Sequence, residues 1–229
     1  LAIGADEIEF DIRLTKDDKM IVCHDNTVDR VSNGTGNVSD LTFEEIRNLN
    51  AGEYMGWKDI KFPTPEEIFE LVANKIIFNI HVYQAGKDGS VVKRLKKLIT
   101  KYDAKDSVYF AAQEMEMAFC LKIAPTIERC MLECFDQDRD IVDIALEYEC
   151  SRVQHFYTVY SPDIVKKATK NGLINNLFYE DDPSMVETRL EDGIDMGLSN
   201  YADSIIPVVI VRWSRGDRGG GVWFCLVGC

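Results

Sequence analysis

The sequence predicts an α/β protein with the fold of a TIM, or (β/α)₈, barrel that lacks its first strand and has a small inserted segment after the second. From residue 76 onward, short apolar strands alternate with amphipathic helices, a pattern typical of right-handed βαβ units and a parallel sheet. We count seven parallel strands, whereas a complete barrel of this type has eight. No GxGxxG sequence follows a strand, which disfavours a doubly wound nucleotide-binding fold.

Composition limits the possible partners. The chain has 229 residues, with 26 Lys and Arg against 39 Asp and Glu, and a formal net charge of −13. This balance argues against a nucleic-acid partner, which would need a basic face. An anionic substrate would therefore need a local cation, either a metal ion or a few basic side chains.

Cysteine content and hydropathy bear on location. The seven cysteines form no CxxC pair, and we interpret them as reduced thiols of a cytoplasmic protein. No apolar run reaches the roughly 18 to 20 residues of a membrane span, and no signal peptide is visible. Because residues 1–4 resemble the end of a capped helix, we expect the native N-terminus to lie upstream.

Residues 4–25 form two predicted strands joined by a polar turn. Glu7, Glu9 and Asp11 alternate with apolar residues, so the three carboxylates should share one face of the first strand. Such a row is tolerated when a divalent metal binds there. The second strand ends at His24, which can titrate near neutral pH. A solvated acidic edge strand with a surface histidine explains this spacing equally well.

The segment 26–63 is rich in turn residues and is the predicted insertion. It contains a tight turn at 33–36 and a short amphipathic helix over 40–49. A connection of this length often covers a site. A helix over 64–73 follows, with proline in its first turn.

The remaining elements complete a predicted barrel domain over residues 1–207. We predict strands over 76–82, 107–112, 128–133, 152–156, 173–179 and 194–199, and helices over 90–102, 114–124, 139–149, 162–171, 183–192 and 202–207. The tail 208–229 changes composition abruptly, with three consecutive glycines, and should not continue the alternation. We predict that it is not native to the domain; the alternative is an apolar tail that docks on a partner.

Several motifs together point to a known family. Residues 4–17 read Gly-Ala-Asp-x-Ile-Glu-x-Asp-x-Arg-Leu-Thr-Lys-Asp, and residues 21–30 read Ile-Val-x-His-Asp-x-Thr-x-x-Arg. Residues 78–81 read Phe-Asn-Ile-His, and residues 193–203 read Gly-Ile-Asp-x-x-Leu-Ser-Asn-Tyr-Ala-Asp. Over about residues 1–207 the chain resembles the glycerophosphodiester phosphodiesterase family.

This resemblance implies a TIM barrel that hydrolyses glycerophosphodiesters to an alcohol and glycerol phosphate. It also implies a divalent metal, usually Ca²⁺ or Mg²⁺, and two histidines that act as acid and base. Glu9 and Asp11 match the metal-binding Glu-x-Asp pair, and His24 matches the second catalytic histidine. The first histidine and its neighbouring arginine belong to a His-Arg-Gly motif on the first strand, which this sequence lacks. We therefore expect this chain to be impaired.

The third metal-binding acid of the family falls at His81, and Tyr83 replaces a lysine that many members carry. If His81 ligates, the metal preference should move toward Mn²⁺ or Zn²⁺; alternatively, His81 only forms hydrogen bonds near the site. Predicted substrate contacts are Arg13, Glu133, His155 and Phe178. For His155 and Phe178, a packing role in the barrel is the competing interpretation.

Two other functions stay open at this point. The chain could be a non-catalytic barrel that binds a phosphodiester, or a phospholipid lyase of the sphingomyelinase-D type, whose chemistry uses the same acid pair and two-histidine arrangement. The inserted segment favours the glycerophosphodiesterase. The expected partner is a small-molecule glycerophosphodiester, and the sequence does not indicate an oligomeric state.

Overall fold

The computed structural model describes residues 4–133, 139–214 and 223–227 as one curled, mostly parallel sheet surrounded by helices. The strands are β1 (Glu7–Leu14), β2 (Met20–Val22), β3 (Ile77–Val82), β4 (Val108–Ala112), β5 (Glu128–Leu132), β6 (Arg152–Phe156), β7 (Ile174–Phe178), β8 (Met196–Ser199) and β9 (Trp223–Val227). Neighbouring strands follow chain order from β3 to β9, and β1 pairs in parallel with β3. The predicted TIM-barrel fold is confirmed.

The tail supplies the eighth parallel strand. Residues of β9 pair in parallel with β8 on one side and with β1 on the other, so the sheet closes on itself. The short β2 pairs antiparallel with the far end of β1 and stands outside this ring. The expectation that the tail would not continue the alternation was wrong for its described part, because apolar residues after Pro207 extend the last helix and a strand follows.

The helices form the outer layer. They are α1 (Phe43–Arg47), α2 (Pro65–Val72), α3 (Ser90–Lys101), α4 (Glu114–Ile123), α5 (Ile141–Glu147), α6 (Pro162–Lys170), α7 (Val186–Asp192) and α8 (Ala202–Ser214). Local sequence determines where several helices begin. At α2, a capping box forms: the Thr64 side chain accepts a hydrogen bond from the Glu67 amide, and the Glu67 carboxylate accepts one from the Thr64 amide.

Strand alternation divides the barrel into an apolar shell and a polar interior. Phe10 and Phe78 are buried between sheet and helices, with their ring centroids 5.6 Å apart. Burial of each such ring stabilises the fold by roughly 1.5–3 kcal/mol. The opposite face of the strands carries hydrogen-bonded polar groups, such as Asn79, whose Nδ2 donates to Gln154 Oε1 at 3.1 Å. The polar interior is therefore available for chemistry at the carboxyl ends of the strands.

The inserted segment builds a small core of its own beside the β1–β2 hairpin. Its helix α1 is shorter than predicted and begins after a capping box between Thr42 and Glu45. The buried members of this cluster are Ile21, Cys23, Val28, Val31, Val38, Ile46 and Phe62. The segment is thus a packed unit attached to the barrel through β2.

Within the described ranges, no helix is both long enough and apolar enough to cross a membrane.

Candidate active site

A cleft of about 170 Å³ opens at the carboxyl ends of the barrel strands. Most of the residues predicted for the site lie along it: Glu9, Asp11, His24, His81, Glu133, His155 and Phe178. Arg13 is the exception and does not line the cleft.

Three side chains form a group that could hold a metal ion. The parallel register of β1 and β3 places Asp11 beside His81 and Glu9 beside Asn79. His81 Nδ1 lies 2.8 Å from Asp11 Oδ1 and 3.9 Å from Glu9 Oε1. One ligand atom from each of Glu9, Asp11 and His81 lies within 4.8 Å of the others. The three residues that the sequence suggested as metal ligands are therefore neighbours in the structure, and their role as ligands stays a prediction.

The environment of the two carboxylates suits a cation. Glu9 and Asp11 are 4% and 1% exposed. Glu9 Oε2 and Asp11 Oδ2 have no hydrogen-bond partner among the described residues, and Asp11 Oδ1 has only the His81 contact. Burial, followed by the neighbouring charges of Asp11 and Glu7, raises the pKa of Glu9 well above its usual range. Buried acids without donors are costly unless a cation compensates them, so these residues fit a divalent metal.

His24 is held by an acidic neighbour. Its Nδ1 lies 2.8 Å from Asp25 Oδ1, and Arg30 Nε donates to Asp25 Oδ2 at 2.6 Å. The hydrogen bond from Arg30 is the largest cause that lowers the pKa of Asp25, to about 2, and His24 adds to it. Asp25 therefore stays ionised and engages Nδ1, so Nε2 is the ring nitrogen that could contact another group.

Arg13 is engaged beside the cleft. Its Nε donates to the carbonyl oxygen of His24 at 3.1 Å, and its Nη1 donates to Asn26 Oδ1 at 2.6 Å. The guanidinium carbon also lies 4.2 Å from the centroid of the Tyr83 ring. These contacts hold the segment after β2, and the substrate contact predicted for Arg13 stays a prediction.

Across the cleft from the group of Glu9, Asp11 and His81, the wall consists of aromatic side chains and one acidic residue. Phe156 and Phe178 line it, with their ring centroids 5.8 Å apart. Glu133 follows β5, and burial, with a smaller contribution from Asp140, raises the pKa of its carboxyl. This wall therefore offers the cleft an aromatic surface and one carboxyl group.

His155 borders the cleft, but its imidazole is engaged with the neighbouring strand. Nε2 lies 3.0 Å from Asn175 Oδ1, and the residue is fully buried. Because Gln154 bonds to Asn79 in the barrel interior, alternation turns its neighbour His155 toward the helix layer. Burial lowers the pKa of His155. These contacts favour the packing interpretation.

Sequence reasoning did not propose Gln113, Gln154 or Tyr83, which also line the cleft. The position of Tyr83 had a detectable signal, since it follows His81 by two residues and should share its face of the strand. Gln113 carries no pattern of its own and follows β4 directly.

A barrel with a cleft at the carboxyl ends of its strands places this chain in the class of TIM-barrel enzymes. Residues 1–203 match the model of the glycerophosphoryl diester phosphodiesterase family, and the chain belongs to that family. A glycerophosphodiester phosphodiesterase from Caldanaerobacter subterraneus subsp. tengcongensis is 32% identical over 222 residues, which are 91% of this chain and 88% of the relative.

Solved structures share the fold. A phosphodiesterase from Oleispira antarctica, in complex with the product sn-glycerol-3-phosphate, superposes with a TM-score of 0.83 at 17% identity. The match covers 91% of this chain and 87% of that one. A glycerophosphodiester phosphodiesterase from Agrobacterium tumefaciens gives a TM-score of 0.76 at 22% identity, covering 90% and 88% of the two chains.

Proposed function

We propose that this protein hydrolyses glycerophosphodiesters to an alcohol and glycerol phosphate in a reaction that depends on a divalent metal. The observation that carries the proposal is the buried group of Glu9, Asp11 and His81 inside the cleft. Family membership supports the reaction class, and a structural relative holds sn-glycerol-3-phosphate as its product. The substrate is accordingly a small phosphodiester.

Glu9, Asp11 and His81 are the residues that would hold the metal. When bound, a divalent ion supplies positive charge for a phosphodiester whose own charge repels nucleophiles. Two carboxylates and one imidazole form a donor set that suits Mn²⁺ or Zn²⁺ better than a set of oxygens alone would. We therefore expect this chain to favour these ions over Ca²⁺ or Mg²⁺.

His24 is the proposed proton-transfer group. Its exposed side-chain fraction of 36% leaves it accessible to a substrate, while Asp25 holds Nδ1. Nε2 would accept a proton from the attacking water or hydroxyl, or donate one to the leaving alkoxide oxygen. The aromatic wall with Phe178 and Glu133 would orient the organic part of the substrate.

A second acid or base is not evident among the three histidines of this chain. His81 belongs to the metal group, and His155 bonds to Asn175. General acid–base help contributes about 10²–10⁴-fold per group, so we expect slow turnover compared with a two-histidine site.

Buried free thiols at Cys23, Cys120, Cys130 and Cys150 support a reducing, cytoplasmic setting as part of this proposal.

Turnover of glycerophosphodiesters by the purified chain, with and without Mn²⁺, tests the proposal. We expect release of glycerol phosphate that EDTA abolishes and Mn²⁺ restores, and no release by an Asp11→Asn variant. Asp163→Asn is the matched control, because Asp163 is an exposed acid on α6. Substrate binding without any turnover would instead support a non-catalytic phosphodiester-binding barrel, and a cyclic phosphate product would support a lyase.

A further inference from the structure

Two side chains that line the cleft, His81 and Tyr83, form a layered stack with Arg13 beside it. The rings of His81 and Tyr83 lie face to face, with centroids 3.8 Å apart and planes inclined by 29°. On Tyr83, the guanidinium carbon of Arg13 lies 4.2 Å from the ring centroid. Tyr83 therefore contacts His81 of the metal group and the Arg13 cation of the neighbouring strand β1.

The strand register explains why these three residues meet. Asp11 pairs with His81, and Ile12 pairs with Val82, so the next residues along the two strands are Arg13 and Tyr83. Side chains two residues apart share a face, which places Tyr83 beside His81 and Arg13 beside Asp11. The stack is thus a continuation of the metal group toward solvent, one step further along both strands.

Each contact in the stack restrains a group with a proposed role. Stacking fixes the plane of the His81 imidazole, whose Nδ1 faces the carboxylates. Cation–π attraction holds Arg13 against Tyr83, worth about 0.5–2 kcal/mol depending on desolvation. Arg13 is only 7% exposed and donates to the carbonyl oxygen of His24 from both Nε and Nη2. One aromatic ring therefore connects the metal group to the backbone of the proton-transfer histidine.

We propose that Tyr83 is a positioning residue whose ring, clamped between Arg13 and His81, sets the orientation of the His81 imidazole for metal binding and fixes the His24 segment beside it. The inference rests on the proposed metal site. The aromatic ring does this work, and the phenol hydroxyl is dispensable.

The test compares Tyr83→Phe, which keeps the ring, with Tyr83→Leu and Tyr83→Ala, which remove it. Tyr201→Ala is the matched control, since Tyr201 is a 59% exposed tyrosine just after β8. The first readout is the affinity for Mn²⁺ alone, by titration calorimetry. Loss of a group that orients a metal ligand costs about 10–100-fold in affinity, so we expect this weakening for the Leu and Ala variants. Tyr83→Phe and Tyr201→Ala should stay within threefold of the parent.

The second readout needs no metal. Histidine side-chain NMR of the metal-free protein reports three imidazoles, one for each histidine in the chain. We expect Tyr83→Leu to shift the His81 and His24 signals and to leave His155, which bonds to Asn175, unchanged. Tyr83 is 38% exposed, so these variants should keep their fold.

Two results would overturn the inference. Unchanged imidazole signals and unchanged Mn²⁺ affinity in Tyr83→Leu would show that the stack positions nothing. Equal damage from Tyr83→Phe would assign the role to the hydroxyl. If the parent protein binds no Mn²⁺ while the imidazole shifts occur as expected, the proposed metal site fails and the positioning of His81 by Tyr83 stands.

Discussion

His81 and Asp11 lie at the same level of the β1–β3 pair, with Nδ1 of the histidine 2.8 Å from Oδ1 of the aspartate. Apart from this contact, the buried oxygens of Asp11 have no hydrogen-bond partner among the described residues. A histidine and an acid in this relation either share a proton or share a metal ion. The metal affinity of His81 variants separates these two possibilities.

Replacing His81 should change both the affinity and the choice of metal. We expect His81→Ala to weaken Mn²⁺ binding by at least about tenfold, because one of three ligands is lost. His81→Glu should restore an all-oxygen set and move the preference toward Ca²⁺ or Mg²⁺. Calorimetric titration with each ion measures this, with His155→Gln as the control. Unchanged Mn²⁺ affinity in His81→Ala would mean that the histidine only shares a proton with Asp11.

Metal addition should stabilise the protein. An ion that binds only the folded state at 100 times its dissociation constant adds about 2.7 kcal/mol to the free energy of unfolding. Asp11→Asn should abolish this gain and raise the melting temperature of the metal-free protein, because it removes one of the repelling carboxylates beside Glu9. Thermal unfolding with and without Mn²⁺ measures both effects. A metal-induced gain that survives in Asp11→Asn would place the ion elsewhere.

Replacing His24 should slow the reaction without weakening metal binding. For His24→Gln we expect kcat to fall about 10²–10⁴-fold, the usual contribution of a general acid or base. Steady-state kinetics with Mn²⁺ and a calorimetric Mn²⁺ titration of the same variant provide the measurement. A parallel loss of Mn²⁺ affinity would indicate that His24 acts as a ligand, and unchanged kcat would remove it from the mechanism.

The buried His155 should make stability depend on pH. Its pKa is lowered in the folded protein from the usual value of 6.5, so the unfolded chain binds the proton first as the pH falls. The free energy of unfolding should therefore decrease as the pH falls below about 6.5, by at most about 1.4 kcal/mol per pH unit from this residue. Urea unfolding between pH 7.5 and 5 should show a flatter dependence for His155→Gln. Identical slopes would mean that His155 titrates alike in both states.

Removing the tail should destabilise the barrel. Deletion of residues 208–229 removes β9 and leaves the edges of β1 and β8 without their parallel partners. Exposed strand edges favour association between chains, so we expect a lower urea midpoint and concentration-dependent aggregation. Urea unfolding and light scattering test this expectation. An unchanged midpoint would support the sequence-based hypothesis that the tail is not native to the domain.

Local sequence predicted the repeating part of the fold well. The apolar run of β4, over residues 108–112, and the amphipathic period of α3 predict a strand and a helix, which packing then reinforces. The last strand was missed because one of its partners, β1, lies at the other end of the chain. Strand pairing of that kind depends on tertiary contacts, and no periodicity within the glycine-rich tail predicts it.

The site was predictable wherever a strand face determined it. Alternation along β1 placed Glu7, Glu9 and Asp11 on one face, and the family resemblance singled out Glu9, Asp11 and His81 as ligand candidates. The role of Arg13 was not predictable, because it depends on the register between β1 and β3 and on the path of the segment after β2. Alternation means that Gln154 and His155 point to opposite faces of β6. The sequence alone does not show which of the two faces the barrel interior, so the orientation of His155 could not be predicted.

The separate apolar cluster of the inserted segment has a consequence for how barrels of this kind diversify. Because Val28, Val38, Ile46 and Phe62 pack among themselves, the segment can change in length and sequence with little disturbance of the barrel core. The segment begins directly after His24 and Asp25. At its other end, the Pro63 carbonyl accepts a hydrogen bond from the Val22 amide. Exchange of this module between homologues should therefore leave the barrel strands and the residues that line the cleft in place.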